Sequence, residues 1–336
     1  MDDHGLLGLI ISRLPGLSYQ EKTVLCESFD SESDLIGKTQ SDIESIVNRK
    51  LKSFWNIDKI LRLAQKDAQA AQLRGINWVS WRSTAYPPLL REMYDPPVVL
   101  FYKGRLPNPQ APLVAVVGTR KPSPLAAAQA FDIAKGLGRS GISVVSGLAI
   151  GIDAMAHRGN LEGGAPTFAV LGSGVDEVYP SSNRALARRI LETGGALLSE
   201  YPPGTAPRKW TFPARNRIVS GMARGVLIVE APQKSGALIT ARFALDQNRD
   251  LWVASTGAAG GENGQAARFD RSDRFYRRGT AALVADGAGT VYSASDILEA
   301  WIVETPIPEQ TARGLAFSLA RTLGIEIPIH EERTWQ

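Results

Sequence analysis

The sequence predicts a doubly wound α/β fold, a mostly parallel sheet covered by helices on both faces, with a small helical module ahead of it. Three observations carry that expectation. Short β-branched runs at 113–117, 142–145, 167–171, 196–198, 226–229 and 251–254 recur at intervals long enough to hold a helix. Each is apolar at nearly every position, as in a strand buried on both faces. Each ends in glycine or a polar residue and passes into a helical segment, the pattern of repeated βαβ units.

Residues 1–85 read as mostly helical. Glycines are few, and apolar positions recur at helical spacing, as in Ile43, Ile46, Val47 and then Ile60, Leu61, Leu63. Within this module "RLPGLSYQEKTVLCESF" (13–29) sets a Pro-Gly turn before a helix, the layout of a degenerate helix-hairpin-helix or of a plain helix connection. The stretch 75–104, dense in proline and aromatic residues, reads as a linker with one or two strands.

The first parallel strand breaks at Gly118 in "VAVVGTRKPSPLA" (114–126). Ser123 suits an N-cap and Pro124 the first helical position, so a helix starts just after Arg120 and Lys121. A helix N-terminus beside two cations suits a phosphate; a solvated turn would read the same way. The second strand passes Gly147 into a helix opening near Gly151, in "SGLAIGIDAMAH" (146–157). Asp153 and His157, four apart on that helix, read as a surface pair rather than an acid/base couple, because no nucleophile adjoins them. The third strand runs into "LGSGVDEVYPSSNR" (171–184), a glycine-rich loop ending at Arg184.

Between the fourth and fifth strands lies "PRKWTFPARNRIVSGMARG" (207–225), where Arg208, Lys209, Arg215, Arg217 and Arg224 alternate with Trp210 and Phe212. Cations for phosphates among rings for bases make a single-stranded nucleic-acid groove, or else a solvated basic loop around one buried ring. Asn216 suits a base edge or a loop anchor. The fifth strand leads to "VEAPQKSGALITARFALDQ" (229–247), where Ser235 and Gly236 open a helix with Lys234 beside it and Thr240 one turn in. Glu230, at the strand end, reads as a carboxylate that orients neighbouring arginines rather than as a catalytic group. A glycine-rich loop covers 257–264. Arg268, Arg271, Arg274 and Arg277, with Arg278 adjacent, would form one basic helical face, for DNA or for acidic residues of the same domain.

Composition narrows the classes. An apolar fraction of 44% with 21% charged residues over 336 positions is ordinary for a soluble globular protein. Lys and Arg number 38 against 34 Asp and Glu, a net +4, so the placement of cations matters more than their total. The single cysteine, Cys26, excludes an intrachain disulfide and a Cys-based zinc site. His4, His157 and His330 are too scattered for a local metal motif, so no metal is expected. No cofactor is expected either: the first strand lacks both G-x-G-x-x-G and a ribose-binding acid about 20 residues on. No apolar run approaches the roughly 18 residues of a membrane span, and the start lacks a basic n-region, which predicts a cytoplasmic protein without membrane contact.

Taken in order and spacing, "VGTRKPSP", "VVSGLAIGIDAMAH", "AVLGSGVDEVYPSSNR", "LLSEYPPG", "FPARNRIVSG" and "VEAPQKSGALITARFALDQ" resemble the DNA-processing protein A (DprA/Smf) family over roughly residues 75–300. The resemblance implies an extended Rossmann-like domain at 86–300 that binds single-stranded DNA, forms a homodimer, and protects incoming DNA and loads the RecA recombinase in natural transformation. It implies a sterile-alpha-motif or helix-hairpin-helix-like module at 1–85, and no catalysis. Position by position it carries over Arg120, Lys209, Phe212, Arg215, Asn216, Arg217 and the Ser235-Gly236 helix start as the pocket. With the strand-end residues read above, the expected DNA-binding set also holds Gly118, Thr119, Lys121, Gly147, Arg184, Lys234 and Thr240.

The sequence departs from the family at Ile150 and Ala214, where relatives often place a basic residue, and at Ser255-Thr256-Gly257, where they often have Pro-Gly. Residues 301–336 are too few for the winged helix of some members; "EQTARGLAFSLARTLGI" (309–325) suggests one amphipathic helix instead. The alternative function is a nucleotide or N-glycoside hydrolase like the lysine-decarboxylase-like phosphoribohydrolases. Their P-G-G-x-G-T-x-x-E motif corresponds here to "APQKSGALITA", without the second glycine-threonine step or the glutamate.

Overall fold

A computed structural model describes residues 5–52, 56–258 and 271–304. The chain begins with five helices, α1 (Gly5–Arg13), α2 (Tyr19–Ser28), α3 (Glu32–Ile36), α4 (Gln40–Ile46) and α5 (Ile57–Leu73). Ser18, Ser31 and Thr39 open α2, α3 and α4 with reciprocal capping boxes to Glu21, Asp34 and Asp42. Each cap satisfies orphan N–H groups, an effect typically worth about 1 kcal/mol, which lets such short helices persist.

The sheet follows: β1 (Asn77–Ser80), α6 (Pro88–Arg91), β2 (Val99–Gly104), β3 (Leu113–Val117), α7 (Pro124–Arg139), β4 (Ser143–Ser146), α8 (Ile152–Glu162), β5 (Phe168–Val170), a 3-10 turn (Ser181–Asn183), α9 (Arg184–Glu192) and β6 (Ala196–Ser199). It continues with α10 (Thr211–Gly221), β7 (Gly225–Ile228), α11 (Gly236–Asp246), β8 (Asp250–Ala254), α12 (Arg271–Ala285), β9 (Gly289–Val291) and α13 (Ala294–Glu304). Among the described residues nine strands stand in the order β1-β2-β6-β5-β4-β3-β7-β8-β9. From β6 to β9 all neighbours are parallel, whereas β1 and β2 join antiparallel at one flank. All six expected parallel strands are present within a residue or so of their expected ends. The proline- and aromatic-rich stretch supplies β1 and β2. The three-residue β9, too short to register as an apolar run, is an addition.

Every residue of β3 is buried, yet its two faces are distinct. Val114 and Val116 pack with Ile133 and Leu137 of α7, Ile152 of α8 and Ile297 of α13. Leu113, Ala115 and Val117 pack with Ile218 of α10 and Ala241 of α11 on the other face. The N-terminal helices share a third core with the flank strands, in which Leu9, Ile10 and Leu25 meet Val99, Phe101 and Leu197. Arg82 ties them further by donating to the carbonyls of Phe29 (2.6 Å) and Cys26 (3.1 Å).

The chain winds outward from β3 through β4, β5 and β6, then returns by α10 to pair β7 against the other edge of β3. In open α/β sheets that reversal leaves a crevice at the carboxyl ends of the strands. The candidate site lies there.

Candidate functional site

A cleft of about 660 Å³ opens at the carboxyl rim of the sheet. The turn after β3 contributes Gly118, Thr119, Arg120 and Lys121, and the turn after β4 contributes Gly147. The start of α10 contributes Lys209, Phe212, Arg215 and Asn216, and the start of α11 adds Ser235, Gly236 and Thr240. Thus four segments far apart in sequence bring together twelve of the fifteen expected residues in one concavity. Arg184, Lys234 and Arg217 lie off its lining. Arg184 and Lys234 are exposed at the starts of α9 and α11.

Arg217 corrects the expectation that it faces the ligand. It is 3% exposed, with its Nη2 2.5 Å from Glu200 and its Nε 3.0 Å from Asp95. Its guanidinium also lies over the Tyr19 ring, 4.7 Å from the centroid. Burial works against its charge, but Glu200, Tyr19 and Asp95 outweigh that and raise its pKa. Arg217 is therefore a clamp between α10, β6 and the N-terminal helices. The cause is the helical period: residues two apart on α10 point about 200° away from one another.

Arg215 turns the other way, into the cleft floor. Its Nη1 donates to the carbonyl of Gly147 at 2.8 Å and to that of Val170, and its Nε donates to Asn216 Oδ1 at 3.2 Å. Burial lowers its pKa to about 10, with Asp153 opposing the shift, so it remains a cation at neutral pH. The glycine at 147 is required by this packing, because a Cβ there would overlap the Arg215 guanidinium. Asn216 completes the floor: its amide donates to the Gly236 carbonyl at 3.1 Å and joins the starts of α10 and α11.

Asp153 and His157 do not form the expected surface pair, because α8 packs both inward. Asp153, 7% exposed, accepts the Gly147 N–H at 3.1 Å and the Ala149 N–H at 3.4 Å. Burial raises its pKa, which Arg215 and these N–H groups oppose. It holds the β4–α8 turn, where Leu148 adopts a left-handed φ of 57°. Such a conformation is uncommon for a branched side chain and clusters at ligand-binding turns. His157, fully buried, meets Thr167 Oγ1 at 2.8 Å, and that hydroxyl donates to the Val144 carbonyl at 2.7 Å. The hydroxyl's one hydrogen is thereby used, so Nδ1 of His157 must be the donor. Burial depresses the imidazole pKa to about 3.

The two helix starts at the rim differ. Ser123 caps α7, and Glu230, fully buried, accepts from Ser123 N at 2.8 Å, Ser123 Oγ at 3.1 Å and Arg277 Nε at 3.4 Å. The positive end of α7 is thus already met by a carboxylate, so a phosphate at this helix start would meet Arg120 and Lys121 rather than the helix end. Glu230 does pair an arginine, as expected, but its first task is the cap. By contrast, α11 starts at Ser235 without a side-chain cap, and the buried Ser235 hydroxyl has no partner among the described residues.

Three cations of the rim, Arg120, Lys121 and Lys209, are exposed and make no salt bridge among the described residues. Arg120 lies over the Phe212 ring at 5.8 Å, and Tyr179 tilts against the same ring at 5.5 Å. Tyr179 also lines the cleft, and residue patterning missed it. Its only signal was an aromatic beside the proline that ends a strand-end loop. The cleft therefore offers unpaired positive charge, an uncapped helix start and a ring face, a combination suited to phosphates and bases together. Ile150, next in sequence to the cleft-lining Ala149, is 45% exposed. Among the described residues no cluster of side chains fits a metal ion, and no helix is long and apolar enough to cross a membrane. The 257–264 loop beyond 258, Arg268 and the 309–325 segment fall outside the described residues. Arg271 and Arg274 lie on α12.

Residues 77–302 match the family described as DNA recombination-mediator protein A. The chain is 37% identical over 247 residues to Protein Smf of Borreliella burgdorferi, covering 73% of this chain and 77% of that one. It is 38% identical over 227 residues to the DNA processing protein DprA of Bacillus subtilis, covering 67% and 71%. With Protein Smf of Synechocystis the identity is 49%, but the match spans only 43% of that protein's length. The X-ray structure of DNA processing protein A from Streptococcus pneumoniae superposes with a TM-score of 0.67 at 32% identity, covering 89% of this chain and 98% of that one. DNA processing protein A from Helicobacter pylori, whose structure was described for its single-stranded DNA binding mode, gives 0.55 at 25% identity, over 68% and 97%.

Proposed function

The chain belongs to the DNA recombination-mediator protein A family, and from that premise we propose that its rim cleft binds single-stranded DNA. The observation that carries this reading is the convergence of Arg120, Lys121 and Lys209, without carboxylate partners among the described residues, around the Phe212 ring. Phosphates would meet the cations and the α11 start, and a base would stack on Phe212 and Tyr179. The single-strand binding named for the Helicobacter pylori relative supports the same ligand. On this reading the binding domain spans 86–300, beside a sterile-alpha-motif or helix-hairpin-helix-like module at 1–85 and a separate C-terminal segment at 301–336, most of it outside the described residues. The protein acts in the cytoplasm as a homodimer without catalysing a reaction, protecting incoming DNA and passing it to the RecA recombinase. The hydrolase reading has less support, since Glu230 is committed to the α7 cap and Arg277.

The test is an anisotropy titration of labelled oligo(dT) at several salt concentrations, run beside a duplex. Lys209→Glu is expected to weaken single-strand binding and to flatten the log–log salt dependence by about 0.7 for each phosphate it no longer neutralises. Unchanged affinity in this variant, or equal affinity for duplex, would sink the proposal.

A further inference from the structure

One aromatic pair, an exposed tryptophan against a half-buried tyrosine, takes no part in the cleft. Trp210, between Lys209 and Thr211, is 60% exposed, and large rings are seldom left so open. Its ring meets Tyr201 nearly edge-on, with centroids 6.0 Å apart and planes at 81°. Tyr201 in turn lines a second cleft, of about 350 Å³, between the α1–α2 turn and the ends of β2 and β6. The Trp210–Tyr201 pair thus stands between two concavities: its neighbours Lys209 and Phe212 line the first, and Tyr201 lines the second.

The chemistry of the second cleft differs from that of the first. Its walls are the Tyr19 and Tyr201 rings, the apolar Leu17, Pro97 and Val99, and the buried carboxylate of Glu200. Its one cation, Lys22, donates to the Ser12 carbonyl at 2.6 Å. A phosphate would find both nearby cations engaged, Lys22 by the Ser12 carbonyl and Arg217 by Glu200. An unstacked nucleobase suits it better, with a flat face for the tyrosines and edge N–H groups for an acidic oxygen.

We propose that a single strand held in the first cleft leaves it over Trp210 and Tyr201 and sets a further base into the second cleft, against Tyr19 and Glu200. This inference rests on the reading of the first cleft as a single-strand site. It makes the N-terminal helices part of the DNA path and gives the protein a longer footprint than the sheet rim alone.

Two labelled oligo(dT) lengths separate the clefts, about four and about sixteen nucleotides, a range typical of single-strand sites. Trp210→Ala is expected to weaken the longer oligonucleotide about tenfold or more, as loss of a stacking ring does, while the shorter binds as before. Trp210→Phe should restore most of the loss. With 5-iodouracil in place of thymine, the longer strand should photo-cross-link to Tyr201 or Tyr19 and the shorter should not. Equal losses on both lengths, no loss on either, or cross-links confined to the first cleft would each overturn the proposal. Lys209→Glu separates the two failures. If it weakens both lengths while Trp210→Ala does not discriminate, only the extension falls; if it weakens neither, the reading of the first cleft falls as well.

Discussion

Two arginines separated by one asparagine have opposite surroundings. Arg215 lines the cleft and is held by backbone carbonyls; Arg217 is buried against Glu200 and Asp95. Removing one member of a buried ion pair leaves the other charge desolvated, at a cost of about 3–5 kcal/mol. Arg217→Met should therefore lower the melting temperature sharply in a thermal scan. Measured where the variant is still folded, its affinity for an oligo(dT) of about four nucleotides, which reaches only the first cleft, should match that of the parent. A stable variant with weakened binding would reverse this assignment. The sequence showed that both residues were cations among aromatics, but not that 211–221 would be helical, and only the helix sends them to opposite sides. Lys209 and Arg120 were legible because exposed cations at strand ends need no long-range partner. Arg217 was not, because its partners lie 17 and 122 positions away in sequence, at Glu200 and Asp95.

At the level of elements, the turn between β4 and α8 shapes the cleft floor. Gly151, at φ 83°, passes so close to the preceding turn that a Cβ would collide with the Thr119 carbonyl oxygen. Gly147 is packed against the Arg215 guanidinium in the same way. Gly147→Ala should displace that guanidinium, weaken oligonucleotide binding in the anisotropy titration, and cost about 1–3 kcal/mol of stability from overpacking. If both affinity and stability stay at parent values, the floor is not fixed as described. The glycines and their strand-end positions were visible in the sequence. Which helix start was left open was not: Ser123 marked the start of α7, but Glu230, which occupies it, arrives from β7 107 residues on.

Across the whole molecule, six parallel strands announced themselves because both of their faces are buried. The flank strands β1 and β2 and the three-residue β9 did so weakly or not at all, being short or bounded by prolines. Burial on both faces also governs the response to acid. His157 has a folded pKa near 3 against an ordinary 6.5. Between those values the unfolded chain binds a proton that the folded chain refuses. Stability is therefore complete above about pH 6.5 and falls as pH drops toward 3, by up to about 1.4 kcal/mol per unit. His157→Gln should flatten that limb in denaturation curves recorded across the range. An unchanged pH slope would mean that the imidazole does not titrate this way.

The pairing of Gly147 with Arg215, which spans 68 positions of chain, has a bearing beyond this one protein. A side chain at the first place and the long one at the second compete for the same space, so descent would be expected to vary the two together.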